Sequence, residues 1–137
     1  MNKILTSHQL VPTSLILAML SLSAFAQTQA EKPFLGAWKG NLVIMGRTLE
    51  IRLTFTLDAA KKIQGTFDSI TQGALGLKLG NIAIEGKNLT CNIADLAAQG
   101  NPIFKGTLDA AGAKIAGDFT QAGYAGTFSL EKEKPQK

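Results

Sequence analysis

The chain of 137 residues has few of the residues that usually carry chemistry. Its one histidine, His8, lies in an N-terminal stretch expected to be removed. The remainder then lacks the commonest general base, the Ser–His and Cys–His nucleophile pairs and the most frequent metal ligand. With one cysteine, Cys91, no disulfide can form within the chain. Cys91 sits in the alternating apolar run 89–93 and reads as a buried core thiol. Lys and Arg form no run, and the formal net charge of +4 is scattered among the acids. A nucleic-acid face would cluster its cations and interleave aromatics, so no nucleic-acid partner is expected. There is no acid-rich calcium loop and no Gly-x-Ser-x-Gly elbow. Neither a metal, nor a cofactor, nor a catalytic residue is expected.

What is present begins with a targeting pattern. Met1-Asn2-Lys3 is a short basic start, residues 15–25 are apolar, and Ala24-Phe25-Ala26 fits a small-x-small cleavage site. Residues 1–26 therefore read as a helical signal peptide cleaved after Ala26, and the mature chain as periplasmic or secreted. The apolar stretch is short for a bilayer span, so no stable membrane anchor is expected after cleavage. Residues 27–33 read as a loose leader, 34–130 as one β-domain and 131–137 as a charged, flexible tail.

The strongest periodic signal is Leu49, Ile51, Leu53, Phe55 and Leu57, which alternate with Glu50, Arg52, Thr54 and Thr56. Period two over nine residues is a strand with one apolar face. Met45-Gly46-Arg47 reads as the turn that feeds it. Further strands are expected at 63–68, 75–79, 81–85, 87–93, 103–108, 114–120 and 124–130, with Gly80 and Gly86 as junctions. The irregular stretch 95–102 could hold one helical turn.

Glycine is the conspicuous excess, at 14 residues spread along the chain. Gly65, Gly106, Gly117 and Gly126 each stand two residues before a large apolar group, on the same strand face. Glycine lets a strand coil sharply, and the large residue fills the space beside it. A meander of such strands curling on itself is a small antiparallel barrel. Gly and Ala on its inner faces would favour internal space. In Gly36-x-Trp38-x-Gly40 the indole lies between two glycines on one face, as a core plug or as a ligand platform.

The corner Asp68-Ser69-Ile70-Thr71-Gln72 gathers polar groups. Asp68 and Gln72 are expected to brace it by hydrogen bonds to backbone amides, with Ser69 filling a turn position. A Ser69 nucleophile activated by Lys62 or Lys78 is the catalytic alternative, but it needs a desolvated lysine and an oxyanion hole. The other aspartates, at 58, 95, 109 and 118, fall mostly at turns or strand ends, where Asx-turn chemistry accounts for them.

The run Gly65-Thr-Phe-Asp-Ser-x-x-Gln-Gly-Ala-x-Gly-Leu-x-Leu79 resembles a small β-rich domain of exported bacterial proteins. That domain commonly precedes an α/β-hydrolase or serine-hydrolase domain. Gly36-x-Trp38-x-Gly40 resembles its start, and Gly117-Asp-Phe-Thr-Gln-x-Gly123 with Thr127–Leu130 resembles its end. Where the family has two glycines after the second Gln, Ala122 takes one place. The resemblance implies the accessory module standing alone, with a fold but no particular activity.

The expected fold is thus all-β, a small antiparallel meander barrel of about 8–10 short strands, lipocalin-like in shape. The expected function is a non-catalytic exported binding module, holding a small apolar or amphipathic ligand or docking an envelope protein. A purely structural or interaction protein is the alternative, and a Ser-dependent hydrolase stands third. Trp38, Phe67, Asp68, Ser69, Gln72, Gln121 and Tyr124 are the candidate ligand contacts.

Overall fold

The alternating run at 49–57 forms the middle of a strand, Arg47–Leu57, in the computed structural model, which describes residues 29–135. Ile51, Leu53 and Phe55 are buried while their neighbours face outward. This is β2. It pairs with β1 (Gly36–Ile44) and β3 (Ile63–Ser69), both antiparallel. The chain continues through β4 (Ala74–Glu85), β5 (Asn88–Ile93), β6 (Ile103–Leu108), β7 (Lys114–Gln121) and β8 (Tyr124–Lys132). Each strand pairs with the next, and β8 returns to β1, from Trp38 opposite Lys132 to Ile44 opposite Gly126. The result is a closed eight-stranded meander. Closure leaves no strand edge to pair with another chain.

Two strands expected separately, 75–79 and 81–85, are one strand, β4. Gly80 is not a junction. One extra residue is inserted between the Gly80–Asn92 and Ala83–Thr90 pairs, with Asn81 at φ 48°. A bulge of this kind shifts the inward set by one position. Leu77 and Leu79 face in before it, and Ile82 and Ile84 after it. The expected signal peptide at 1–26 lies outside the described residues. Phe34, the first residue of the expected β-domain, ends a 3₁₀ turn at Lys32–Phe34 and is buried, and the first strand starts two residues later. The expected turn at 95–102 is present as Ala94–Leu96. β8 runs to Lys132, the Glu133 amide donates to the Ala37 carbonyl (2.8 Å), and the Glu133 carboxylate takes two hydrogen bonds from Arg52 (3.1 and 3.2 Å).

The core is aromatic at its centre. Phe104 meets Phe119 at 4.8 Å, Phe128 edge-on at 5.1 Å and Phe67 at 5.8 Å between ring centroids. Such pairs add about 0.5–1.5 kcal/mol each beyond the area they bury. The glycines on the inner face do not leave open space. A Cβ on Gly117 would collide with the Lys105 carbonyl, and one on Gly106 would lie 2.7 Å from the Phe128 ring. Neighbouring backbone and rings already occupy those places. Ala122 is the reverse case. It holds φ 51° in the β7–β8 turn, a left-handed conformation that suits glycine.

Two substitutions should therefore act in opposite directions. Gly117→Ala should lower unfolding stability by about 1–3 kcal/mol, because backbone must move to admit the methyl. Ala122→Gly should raise it by about 0.5–1 kcal/mol, the relieved left-handed strain exceeding the added freedom of the unfolded chain. Urea denaturation of both variants beside the parent checks the two signs.

Candidate functional site

The two ends of the barrel are built differently. One end carries the chain start, and there Phe34 and Trp38 are both fully buried. The indole Nε1–H of Trp38 donates to the Phe34 carbonyl at 2.8 Å, which ties the 3₁₀ turn across that end. Lys132 lies over the indole, its Nζ 5.3 Å from the ring centroid. Trp38 is therefore a plug and not a ligand platform.

The opposite end carries the β1–β2, β3–β4, β5–β6 and β7–β8 connections. It opens into a cavity of about 610 Å³ to which all four connections contribute. That volume falls within the range of small-molecule sites, about 300–1,000 Å³. Leu42, Leu49, Phe67, Ile93 and Phe119 form apolar wall, with Leu96 from the short turn after β5. The polar groups stand at the mouth: Arg47, Gln72, Gln121 and Tyr124. Met45 and Tyr124 are exposed on the rim.

Strand parity explains this distribution. Alternate residues share a face, so Arg47 belongs to the same inward set as Leu49, Ile51 and Leu53. Gln121 likewise continues Ile115, Gly117 and Phe119, and Tyr124 continues Phe128 and Gly126. On β2, β3, β7 and β8 the inner row is apolar through the barrel and becomes polar beside the turn, whereas on β1 and β5 it stays apolar to Ile44 and Ile93.

Of the seven candidate contacts, Phe67, Gln72, Gln121 and Tyr124 line this cavity. Trp38 sits at the other end. Asp68 faces the outside, where its carboxylate pairs with Arg52 at 3.4 Å and accepts the Gly76 amide at 2.7 Å. It braces the corner as expected. Ser69 is not a turn residue but the buried, inward end of β3, and its hydroxyl donates to Gln72 Oε1 at 2.8 Å. Gln72 thus accepts a side-chain hydroxyl and not a backbone amide. The second brace is Thr71, whose Oγ1 accepts the Glu50 amide at 2.7 Å.

Neither lysine can activate Ser69 in this arrangement. Lys78 pairs with Thr66 on the outer face, and Lys62 lies in the β2–β3 turn at the plugged end. One further serine, Ser129, has a lysine three residues on, Lys132. On a strand, residues three apart face opposite sides, and Ser129 points outward while Lys132 lies over Trp38. Among the described residues no group of three or more His, Cys, Asp or Glu could hold a metal ion.

Asp58 and Asp109 behave as Asx residues, whereas Asp118 lies within β7, opposite Lys105, and not at a turn. Asp58 Oδ1 accepts the amides of Ala60 (2.8 Å) and Lys62 (2.9 Å). Asp109 does the same for Ala113 (2.8 Å) and Lys114 (3.1 Å), and these backbone bonds hold its carboxyl below the usual range. Asp95 Oδ2 accepts the Lys78 amide at 2.9 Å and anchors the β5–β6 connection to β4.

Sequence reasoning missed Arg47, Leu42, Leu49, Ile93, Leu96 and Phe119. Arg47 was hidden because Met45-Gly46-Arg47 reads as a turn, although it extends the period-two set of β2 by one step. The others are apolar residues of strands or, for Leu96, of the short turn after β5, and no local signal separates a cavity wall from a packed interior.

No protein-family model matches the chain, and no curated protein matches it. Solved structures of similar fold include two redesigned β-barrels. One matches with a TM-score of 0.56 at 16% identity, over 77% of this chain and 96% of its own. The second, mFAP1 bound to DFHBI, matches with a TM-score of 0.51 at 16% identity, over 75% of this chain and 98% of its own. This protein is a closed β-barrel. The likeness to the redesigned barrels concerns architecture alone.

Cys91 supplies a pH-dependent test of the interior. It is buried on the inner face of β5, and burial pushes its thiol from 9.0 up to about 12. A raised acid pKa means that the folded state keeps a proton the unfolded chain releases. Its contribution is fully present below about pH 9 and is lost as pH rises toward 12. Over that window the Cys91→Val variant should lose stability less steeply than the parent. The difference in slope should approach ~1.4 kcal/mol per pH unit in denaturant titrations. Equal slopes would show that the thiol ionises freely in the fold.

Proposed function

We propose that this chain is an exported, non-catalytic β-barrel that binds one small apolar or amphipathic molecule in its open end. The observation that carries the reading is the asymmetry of the barrel. One end is sealed by Phe34 and Trp38, and the other holds a cavity of about 610 Å³ walled by apolar side chains. Barrels of eight strands have an interior just wide enough to be filled by side chains or to hold one small ligand. The similar barrel mFAP1 is bound to DFHBI, so a barrel of this architecture can carry a small molecule.

Export rests on the signal-like pattern of residues 1–26 and on the resemblance to a domain of exported proteins. The non-catalytic reading rests on the chemistry within reach: the buried Ser69 hydroxyl is committed to Gln72, and residues 27–137 contain no histidine. The exposed Met45, Leu75 and Tyr124 support a second reading, in which an envelope protein docks on the rim. Light scattering on the protein with and without detergent-extracted envelope separates the two.

A neutral apolar solvatochromic dye should bind the protein saturably, with one site per chain. Leu49→Trp, which places an indole across the mouth, should weaken that binding at least ~10-fold with the thermal midpoint little changed. Unsaturable dye partition, or equal binding by the variant, would remove the cavity as the site. The mass of the chain recovered from the envelope, expected to begin at Gln27, checks export.

A further inference from the structure

The polar groups at the mouth are not a neutral mixture. Arg47 is the one charged residue lining the cavity, and no carboxylate lines it. The neighbouring charges of β2 are occupied elsewhere: Glu50 pairs with Lys39 at 3.7 Å, and Arg52 pairs with Asp68 and Glu133. Arg47 makes no ion pair among the described residues.

The hydrogen-bond inventory points the same way. The Gln72 carbonyl oxygen accepts the Ser69 hydroxyl with one of its two lone pairs, and the Gln72 amide has two N–H groups to offer. The Ser69 hydroxyl that holds Gln72 is itself buried inside the barrel. Tyr124 adds an O–H, and the Arg47 guanidinium five N–H donors. Gln121 uses one of its two N–H groups on the Gln99 carbonyl at 3.0 Å and keeps the other N–H and its carbonyl oxygen. Donors therefore outnumber acceptors around the opening, and the single formal charge is positive. Below them the wall is apolar, through Leu42, Phe67, Ile93 and Phe119.

We propose that the ligand is an amphiphile with one carboxylate, its apolar body inside the barrel and its carboxylate at the mouth on Arg47. This inference rests on the cavity being the binding site. A carboxylate only accepts hydrogen bonds and matches the guanidinium fork in bidentate fashion. An alcohol of the same length forgoes the charge-assisted bond, and a cationic amphiphile meets Arg47 as a like charge. Only one guanidinium is present, which suits a single negative charge. Met45 adds apolar cover on the rim. It is 66% exposed and holds φ 52°, a backbone conformation that glycine would adopt more easily.

Calorimetric titration of the mature protein with decanoate, decan-1-ol and decyltrimethylammonium, each below its aggregation concentration, tests the class. Decanoate should bind about tenfold more tightly than decan-1-ol, and decyltrimethylammonium more weakly than either. In Arg47→Gln the decanoate-to-decanol affinity ratio should fall to about one. Equal affinity for decanoate and decan-1-ol in the parent, or an unchanged ratio in the variant, overturns the carboxylate while leaving the cavity as an apolar site. Failure of all three amphiphiles and of the neutral dye overturns the cavity reading together with this one.

Discussion

Closing the ring is the constraint on which the rest of this molecule depends. Eight strands of six to twelve residues must coil tightly enough for β8 to reach β1. At Gly40, Gly117 and Gly126 the backbone of a neighbouring strand passes where a Cβ would stand. Those positions cannot carry a side chain unless the strands separate. The large residue two positions on then fills the interior beside each close passage: Leu42, Phe119 and Phe128. Phe119 and Phe128 meet on Phe104, so the same geometry that permits coiling also assembles the aromatic centre.

Closure makes the two ends inequivalent. At the end where the chain enters, the 3₁₀ turn, Trp38 and the overlying Lys132 close the barrel with residues from both termini of the domain. At the other end the chain supplies short hairpins and one longer connection, and nothing among the described residues crosses the opening. An apolar interior that ends in Arg47, Gln72, Gln121 and Tyr124 on one side and in a sealed plug on the other is polarised along its axis. That polarity is the basis of the binding proposal.

Much of the fold was legible because strand period is a local property. The run 49–57 needs no partner to declare one apolar face, and the recurring Gly–x–apolar pattern states that the strands coil. Gly80 was misread because a bulge and a strand break share the same residue, and only the pairing with β5 distinguishes them. Asp68 and Ser69 read as one polar corner in the sequence, yet adjacent strand residues face opposite ways. One braces the outside and the other orients Gln72 at the mouth.

By itself, then, the sequence determined the strand type, the inward sets, the sharp coiling at the inner glycines and the burial of Cys91. Each follows from alternation or from the size of one residue. The tertiary structure decided which end is open, which apolar residues line space and which fill it, and that Arg47 stands at the mouth. Those depend on where non-adjacent strands meet, from Trp38 opposite Lys132 at the plug to Ile44 opposite Gly126 near the opening. Local periodicity carries no information about which ring end a side chain will reach.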